Sequence, residues 1–503
     1  MYRVEVKKLD NYHKFTQDAD NFKENGYYCS APKGTKEYRD YWVEQLDRSI
    51  NGFTTEDGDY ISGYFYFYLN FCQIIRTVQS DYVAKNGLKY TKKERKRGFP
   101  DFYDYDRAYF DAIDEAERNG KHLAVLKKRG SGYSFKGAAM LVRNFYCIAE
   151  SNSMAIASEM EFLTKDGILS KAWDYMDFID QNTAFAKKRQ KVDTKTHKRA
   201  SIVKDVNGVK TEVGYKSEIM GVSMKNDSQK VRGKRAKLIL MEEGGRFPHV
   251  KTTWQVLRPS TEDDDGFAYG LMIIFGTGGV DDASFEGLKD IFYEPDGYNC
   301  LPIENVWDEG TIDKYCGFFV PQYVNMYGTD ENGKVFMDEN GNSDIRTATA
   351  YSMKEREKVI HGSSDRSSID RYIAERPFTP QEACLEISGN IFPKKELIAH
   401  LASIRNNTAM REFKQVGELS WKSDGTIKWE LNPEKKDLIR YRVKPGDSKD
   451  GAVVIWEHPE KDPPYGLYIL GVDPYDFDKS TTNSLGSCFV YKRIQSFETL
   501  YGS

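Results

Sequence analysis

Residues 121–138 read KHLAVLKKRGSGYSFKGA. The order is an apolar strand, a glycine-rich turn and the start of a helix. That is the setting of a phosphate-binding loop, in which small residues let backbone N–H groups approach phosphate oxygens. Gly130, Ser131 and Gly132 meet that need, and Ser134 is placed to offer a hydroxyl to Mg2+. The usual pattern ends Gly-Lys-Ser/Thr, whereas here it ends Gly132-Tyr133-Ser134. Tyr133 supplies no cation for the β- and γ-phosphates, so a triphosphate would need its positive charge from elsewhere. Lys127, Lys128 and Arg129 stand immediately before the turn. Arg129 could present its planar fork to phosphate bidentately, with Lys128 in reserve.

Outward from the loop, strands are expected at 122–127, 153–157, 238–241 and 271–275. Helices are expected at 102–119, 133–150, 159–179 and 251–258. This alternation predicts an α/β fold with a parallel sheet covered by helices, whose ligands sit at the carboxyl ends of the strands. KLILMEEGG (237–245) is an apolar strand ending in two carboxylates. Nucleotide hydrolysis needs one acid to hold Mg2+, here Glu242, and another to orient or deprotonate water, here Glu243. LMIIFGTGG (271–279) is a further strand ending in a polar turn, where Thr277 could sense the γ-phosphate or the attacking water. Arg232 and Arg235, in VRGKRA (231–236), precede the acidic strand and could neutralise transition-state charge in this subunit or a neighbour.

The 503 residues suffice for two or more domains, and the composition is that of a globular chain. No run approaches the ~20 apolar residues of a membrane helix, and MYRVEVKKLDNYHKF lacks the apolar core of a signal peptide. The seven cysteines show no CxxC spacing, which points to reduced thiols rather than a zinc or disulfide site. Charge is lopsided. Residues 187–237 hold sixteen Lys or Arg against five acids, and 262–313 hold fourteen acids against one Lys. The basic stretch is a candidate for approaching DNA phosphates, while two solvated surfaces are the plainer reading.

Residues 1–100 read as an N-terminal extension, with Tyr38, Trp42, Leu46 and Ile50 at helical spacing. YISGYFYFYLNFCQII (60–75) suits a buried hairpin or strand, TDENGKVFMDENGNS (329–343) a surface β-hairpin, and 361–369 a polar loop. A helix is expected over 394–405 and strands near 452–457, 467–472 and 486–492. In LYILGVDPYDFD (467–478), Asp473 ends an apolar strand, as the first Mg2+-holding carboxylate of a metal-dependent nuclease does. Two-metal chemistry needs further acids from later elements, and this region reads as cut short.

Together these elements resemble the large terminase subunit, the genome-packaging motor of tailed bacteriophages, over roughly residues 100–503. LKKRGSGYS resembles a family variant of the phosphate loop that has an upstream Arg and lacks the usual Lys. Arg232 matches the position of the family's trans-acting arginine and FGTGG its coupling motif. ERPFTPQEACLEISGNIFP resembles the segment between motor and nuclease, and GVDP the first metal-binding acid of the RNase H-like nuclease. Three departures stand out: Tyr133 for Lys, Glu242 for Asp, and no later nuclease acids. The first two bear on the rate of hydrolysis more than on ATP binding, the third on cleavage.

The resemblance implies a P-loop (ASCE-type) ATPase over 101–390 with a lid at about 300–375. It places a linker at 391–440 and the incomplete start of an RNase H-like nuclease at 441–503. It implies ATP with Mg2+, Mn2+ or Mg2+ at the nuclease site, and double-stranded DNA as substrate. The implied partners are a portal, a small terminase subunit and a homo-oligomeric ring, a pentamer. The expected location is the host cytoplasm and the procapsid, without a membrane and outside the mature virion. The rival readings are a helicase-like motor and a non-catalytic DNA-binding or assembly protein with a degenerate nucleotide site.

Overall fold

The computed structural model describes residues 2–83, 89–224, 235–247, 249–278, 283–308, 315–384, 414–436, 451–473 and 487–493. The chain divides into two compact units, Met1–Lys395 and Glu396–Ser503.

Unit 1 is built on an eight-stranded sheet. In chain order its strands are β1 (Leu123–Lys127), β2 (Asn152–Ala157), β3 (Val192–Asp193), β4 (His197–Arg199), β5 (Glu218–Ser223), β6 (Leu238–Glu242), β7 (Leu271–Thr277) and β8 (Phe318–Val320). Their spatial order is β8-β1-β7-β6-β2-β5-β4-β3. The run from β8 to β5 is parallel, and β4 and β3 continue it as antiparallel edge strands. β7 therefore lies between β1, which carries the glycine-rich turn, and β6, which carries the acidic pair. This is the fold of a P-loop ATPase with an additional strand between those two.

The alternation of side chains along each strand divides the core into two layers. Val125, Ala155, Leu240 and Ile273 point to one face, where they pack with helices α3 (Gly63–Phe71), α4 (Asp104–Arg118), α5 (Tyr133–Cys147) and α7 (Ile168–Asn182). The same face receives α1 (His13–Asn25) and α2 (Lys36–Asn51). Leu126, Ile156, Met241 and Ile274 point to the other, against α8 (Val250–Leu257) and α9 (Ala283–Tyr293). α5 lies close to the sheet because Gly137 has no Cβ: one built there would stand 2.7 Å from Ile168 and 3.2 Å from Leu240. The N-terminal hundred residues share this core rather than forming a separate body.

Several expectations change. Residues 63–71 form a helix, not a hairpin or strand. Ser62 caps it by accepting the Phe65 N–H (3.2 Å), and all nine residues are buried, so no amphipathic period is visible. The expected helix at 159–179 is two helices, α6 (Met160–Thr164) and α7, separated where Asp166 takes a positive φ of 54°. Residues 329–343 form two successive tight loops, each closed by a single bridge (Thr329 with Val335, Met337 with Ser343). Asp330 and Asp338 each accept N–H groups two and four residues on, an Asx-turn geometry that outcompetes a ladder. The polar stretch at 361–369 is mostly helical: one helix ends at Gly362 and the next runs Arg366–Glu375, capped by Asp365. β3, β4, β5 and β8 and the hairpin Ile202–Val206/Val209–Val213 had no expectation at all.

Unit 2 holds a three-stranded antiparallel sheet of Gln415–Trp421, Ile427–Leu431 and Val453–Ile455, so the stretch expected to be linker carries two strands. Tyr468–Asp473 pairs antiparallel with Ser487–Lys492. The helix expected over 394–405 lies outside the described residues. Among the described residues no helix is long and apolar enough to cross a membrane.

The position of α3 is testable. Phe65 is fully buried and stacked on Phe110, with ring centroids 5.0 Å apart. Phe65→Ala is expected to lower the unfolding free energy by about 3–5 kcal/mol in urea titration; a loss below about 1 kcal/mol would place α3 outside the core.

Candidate functional site

The turn between β1 and α5 needs two left-handed residues, and Gly130 and Gly132 supply them with φ of 75° and 73°. Gly132 is the cap of α5, and its carbonyl accepts the N–H groups of Phe135 (3.0 Å) and Lys136 (3.2 Å). The first turn of α5, with its unpaired N–H groups and positive dipole end, thus opens onto the loop.

The cations are not placed as the sequence suggests. Lys128 turns away: its ammonium donates to the carbonyls of Gln322 (3.0 Å) and Val324, beyond the end of β8. Burial, and to a lesser degree Lys136, bring its pKa down to about 7. This removes Lys128 as the reserve phosphate ligand. Arg129 donates through Nη1 to Glu375 (2.7 Å), and its backbone N–H to the Glu375 carbonyl (2.9 Å). Its side chain is 60 % exposed, so the pair is cheap to exchange for another anion.

The cation under the loop is Lys136, which the sequence reading passed over. Its ammonium donates to the Ser131 carbonyl (2.6 Å), pairs with Asp106 of α4 (3.0 Å) and lies 4.6 Å from the centroid of the Tyr133 ring. Lys136 is 2 % exposed and Asp106 4 %. Asp106 also accepts from Asn325 (2.6 Å). Burial raises its pKa, and Lys136 and Asn325 offset only part of that. Tyr133, where the usual lysine would stand, is 3 % exposed and packs against Tyr109. The signal in sequence was there: Lys136 lies three residues beyond Tyr133, about one helical turn, close enough to fold back beneath the loop.

The acidic pair stands across β7. Ser134 Oγ donates to Glu242 Oε1, and the Ile168 N–H at the start of α7 donates to Oε2 (3.1 Å). Burial holds the Glu242 pKa above the usual carboxylate range. Glu243 is half-buried and has a left-handed backbone (φ 54°), a strained state for a non-glycine residue of the kind found at functional sites. Lys127, at the end of β1, is buried within the field of Glu243 and Glu242; desolvation nonetheless lowers its pKa. Thr277 ends β7 in register with Lys127.

Ser134 Oγ and one Glu242 oxygen form a hard-oxygen pair that fits Mg2+. No group of three or more metal-ligating side chains occurs among the described residues. Mg2+ bound with ATP is commonly held in this sparse way, with phosphate and water completing the octahedron.

Arg232 lies outside the described residues. Arg235 stacks on Tyr269 (5.6 Å) before the start of β6, at the opposite end of the strand from Glu242. In unit 2, Asp473 ends its strand opposite Ser487.

The strand order and this loop are those of the P-loop ATPase fold. No protein-family model and no curated protein matches the chain. Among solved structures it resembles phage large terminases. One is the ATPase domain of the Thermus phage P74-26 large terminase (15% identity, TM-score 0.28, covering 40% of this chain and 75% of that one). A second is the bacteriophage HK97 large terminase (11% identity, TM-score 0.30, 59% and 52%). A third is a large terminase from a thermophilic bacteriophage, in complex with ADP (8% identity, TM-score 0.27, 49% and 46%). The chain spans about half the length of the last two.

Asp106→Asn leaves the Lys136 ammonium buried without its counter-charge and is expected to cost about 3–5 kcal/mol of stability. The double variant Asp106→Asn/Lys136→Met is expected to recover part of that loss, with a coupling of roughly 1–3 kcal/mol in a double-mutant cycle followed by urea unfolding. Strictly additive effects would contradict the pairing.

Proposed function

We propose that the chain is an ATP-hydrolysing motor that drives double-stranded viral DNA into a procapsid. The observation that carries the reading is the bridge from Ser134 to Glu242 across β7, beside a glycine-rich loop with an ammonium fixed beneath it. A hydroxyl on the first turn of the loop's helix, joined to a carboxylate two strands away, is the arrangement that Mg2+-dependent phosphoryl transfer requires.

In this reading the loop N–H groups and the α5 N-terminus cradle the phosphates. Lys136 holds the loop in its binding curvature and adds positive potential beneath it. Arg129 leaves Glu375 for the phosphates. Ser134 and Glu242 would hold Mg2+, directly or through water; the ion would neutralise phosphate charge. Glu243 orients and deprotonates the attacking water from a strained backbone position. Thr277 senses the γ-phosphate and passes its loss along β7, and Arg232 completes a neighbour's site. The remaining proposals rest on the sequence resemblance. They are a ring, a pentamer, docked on a portal in the host cytoplasm, DNA chosen by a small terminase subunit, and Asp473 as a metal ligand of a nuclease.

Glu243→Gln is expected to lower ATP turnover by about 100-fold or more with little change in KM, as loss of a general base does. Arg129→Ala is expected to lower kcat/KM about tenfold or more, the worth of a charge-assisted hydrogen bond. Steady-state phosphate release by wild type and both variants checks this; equal rates in all three would sink the ATPase reading.

A further inference from the structure

Strands Ile74–Val83 and Lys89–Gly98 pair antiparallel from Ile74 opposite Gly98 to Val83 opposite Lys89, and among the described residues they join no other sheet. Each strand has 10 residues, so the ribbon is about 33 Å long. A two-stranded ribbon is marginal alone in water, and this one is fastened at its base. Arg76 donates to the Phe99 carbonyl (3.2 Å) and pairs with Asp101 (2.8 Å), and Arg97 pairs with Asp174 of α7 (3.1 Å). Lys92, Lys93, Arg95, Lys96 and Arg97 are all exposed, with Glu94 half-buried among them.

The period of two puts Lys93, Arg95 and Arg97 on one face and Lys92, Glu94 and Lys96 on the other. On the second face Glu94 is shared by Lys92 (3.6 Å) and Lys96 (3.4 Å). On the first, Lys93 and Arg95 have no carboxylate partner among the described residues, and the Arg97–Asp174 pair is exposed on both sides (46%/50%). A charge or two on an edge strand is ordinary protection against strand pairing. Lys93 and Arg95, side by side on one exposed face, exceed that need and leave positive charge there without a carboxylate partner among the described residues.

The described part of the basic stretch 187–237, a candidate for DNA phosphates in the sequence, behaves differently. Arg189 pairs with Asp180 (2.6 Å), Lys191 with Glu212 (2.5 Å), Arg199 with Glu212 (2.6 Å) and Glu218 (3.2 Å), and Lys198 with Asp193. Much of its charge is satisfied inside the fold.

We propose that the basic strand Lys89–Gly98 of this ribbon is a sequence-independent contact for the phosphate backbone of duplex DNA. The identity of the polyanion rests on the motor reading above. Cations of one face recur every ~7 Å along the strand, and an extended basic ribbon can follow a groove or lie along a strand of phosphates without reading bases.

The test uses the full chain, two labelled duplexes of unrelated sequence, and fluorescence anisotropy from 50 to 200 mM NaCl. Lys93→Gln/Arg95→Gln is expected to weaken binding to both duplexes equally and to reduce the slope of log affinity against log salt by about two, one per cation. Lys354→Gln/Lys358→Gln removes the same charge where each lysine is already paired, with Glu331 and Glu355, and is expected to leave the slope unchanged. An unchanged slope in the ribbon variant, the result if an acidic protein surface were its partner, overturns the proposal. So does an equal loss in the control. ATP turnover without DNA, expected to be the same in wild type and ribbon variant, separates the two readings. If turnover stands and the slope does not move, only the ribbon falls; if the slope moves but wild type has no turnover, only the motor falls.

Discussion

Lys136 brings an ammonium into a space where almost none of its surface meets water, and a buried ion without a partner costs several kcal/mol. Most of the architecture around the loop follows from that. The counter-charge, Asp106, must come from another element, so α4 has to lie against α5. α4 in turn is held at its start by Asp104, which accepts the Ser343 N–H and hydroxyl (both 2.8 Å), while Asn325 completes the shell of Asp106. The two tight loops of 329–343, far away in sequence, therefore serve the phosphate loop. The aromatic N-terminal region closes this layer: α3 packs on α4 through Phe65 and Phe110, and Tyr133 fills the place of a missing lysine with a ring that lines the Lys136 site.

On the other side of the loop, strand order does the work. Placing β7 between β1 and β6 sets Ser134 and Glu242 at a separation one side chain from each can bridge, and leaves room for Thr277 between them. Glu242 also caps α7, so the carboxylate that would hold a metal is locked from two directions, one oxygen by each helix. Glu243, by contrast, is held by its backbone. The pair divides into a rigid, buried acid with a raised pKa and a more accessible one on a strained turn, the separation of roles that acid–base chemistry exploits.

Charge follows the same logic of satisfaction. Where cations meet carboxylates within the fold, as in 189–199, they act as fasteners. Where carboxylates are scarce, as on the 74–98 ribbon, the field reaches solvent.

The sequence by itself determined the α/β alternation, the apolar strands expected at 122–127, 153–157, 238–241 and 271–275, and the glycine-rich turn after the first of them. These rest on local facts: uninterrupted apolar runs, and turn positions a Cβ would strain. It also singled out Ser134 and Glu242, because hydroxyl and carboxylate types at strand ends are visible locally. Helix 63–71 was not visible, since a segment buried all round has no hydrophobic period to read. β3, β4 and β8 were too short, and β3 and β4 too polar, to stand out from their surroundings. The choice of cation was decided only in three dimensions. Lys128, Arg129 and Lys136 are alike in sequence; only the carbonyls beyond β8, Glu375 and the distant Asp106 distinguish them, because the place of a charge in a folded chain is set by which partners surround it once water is gone.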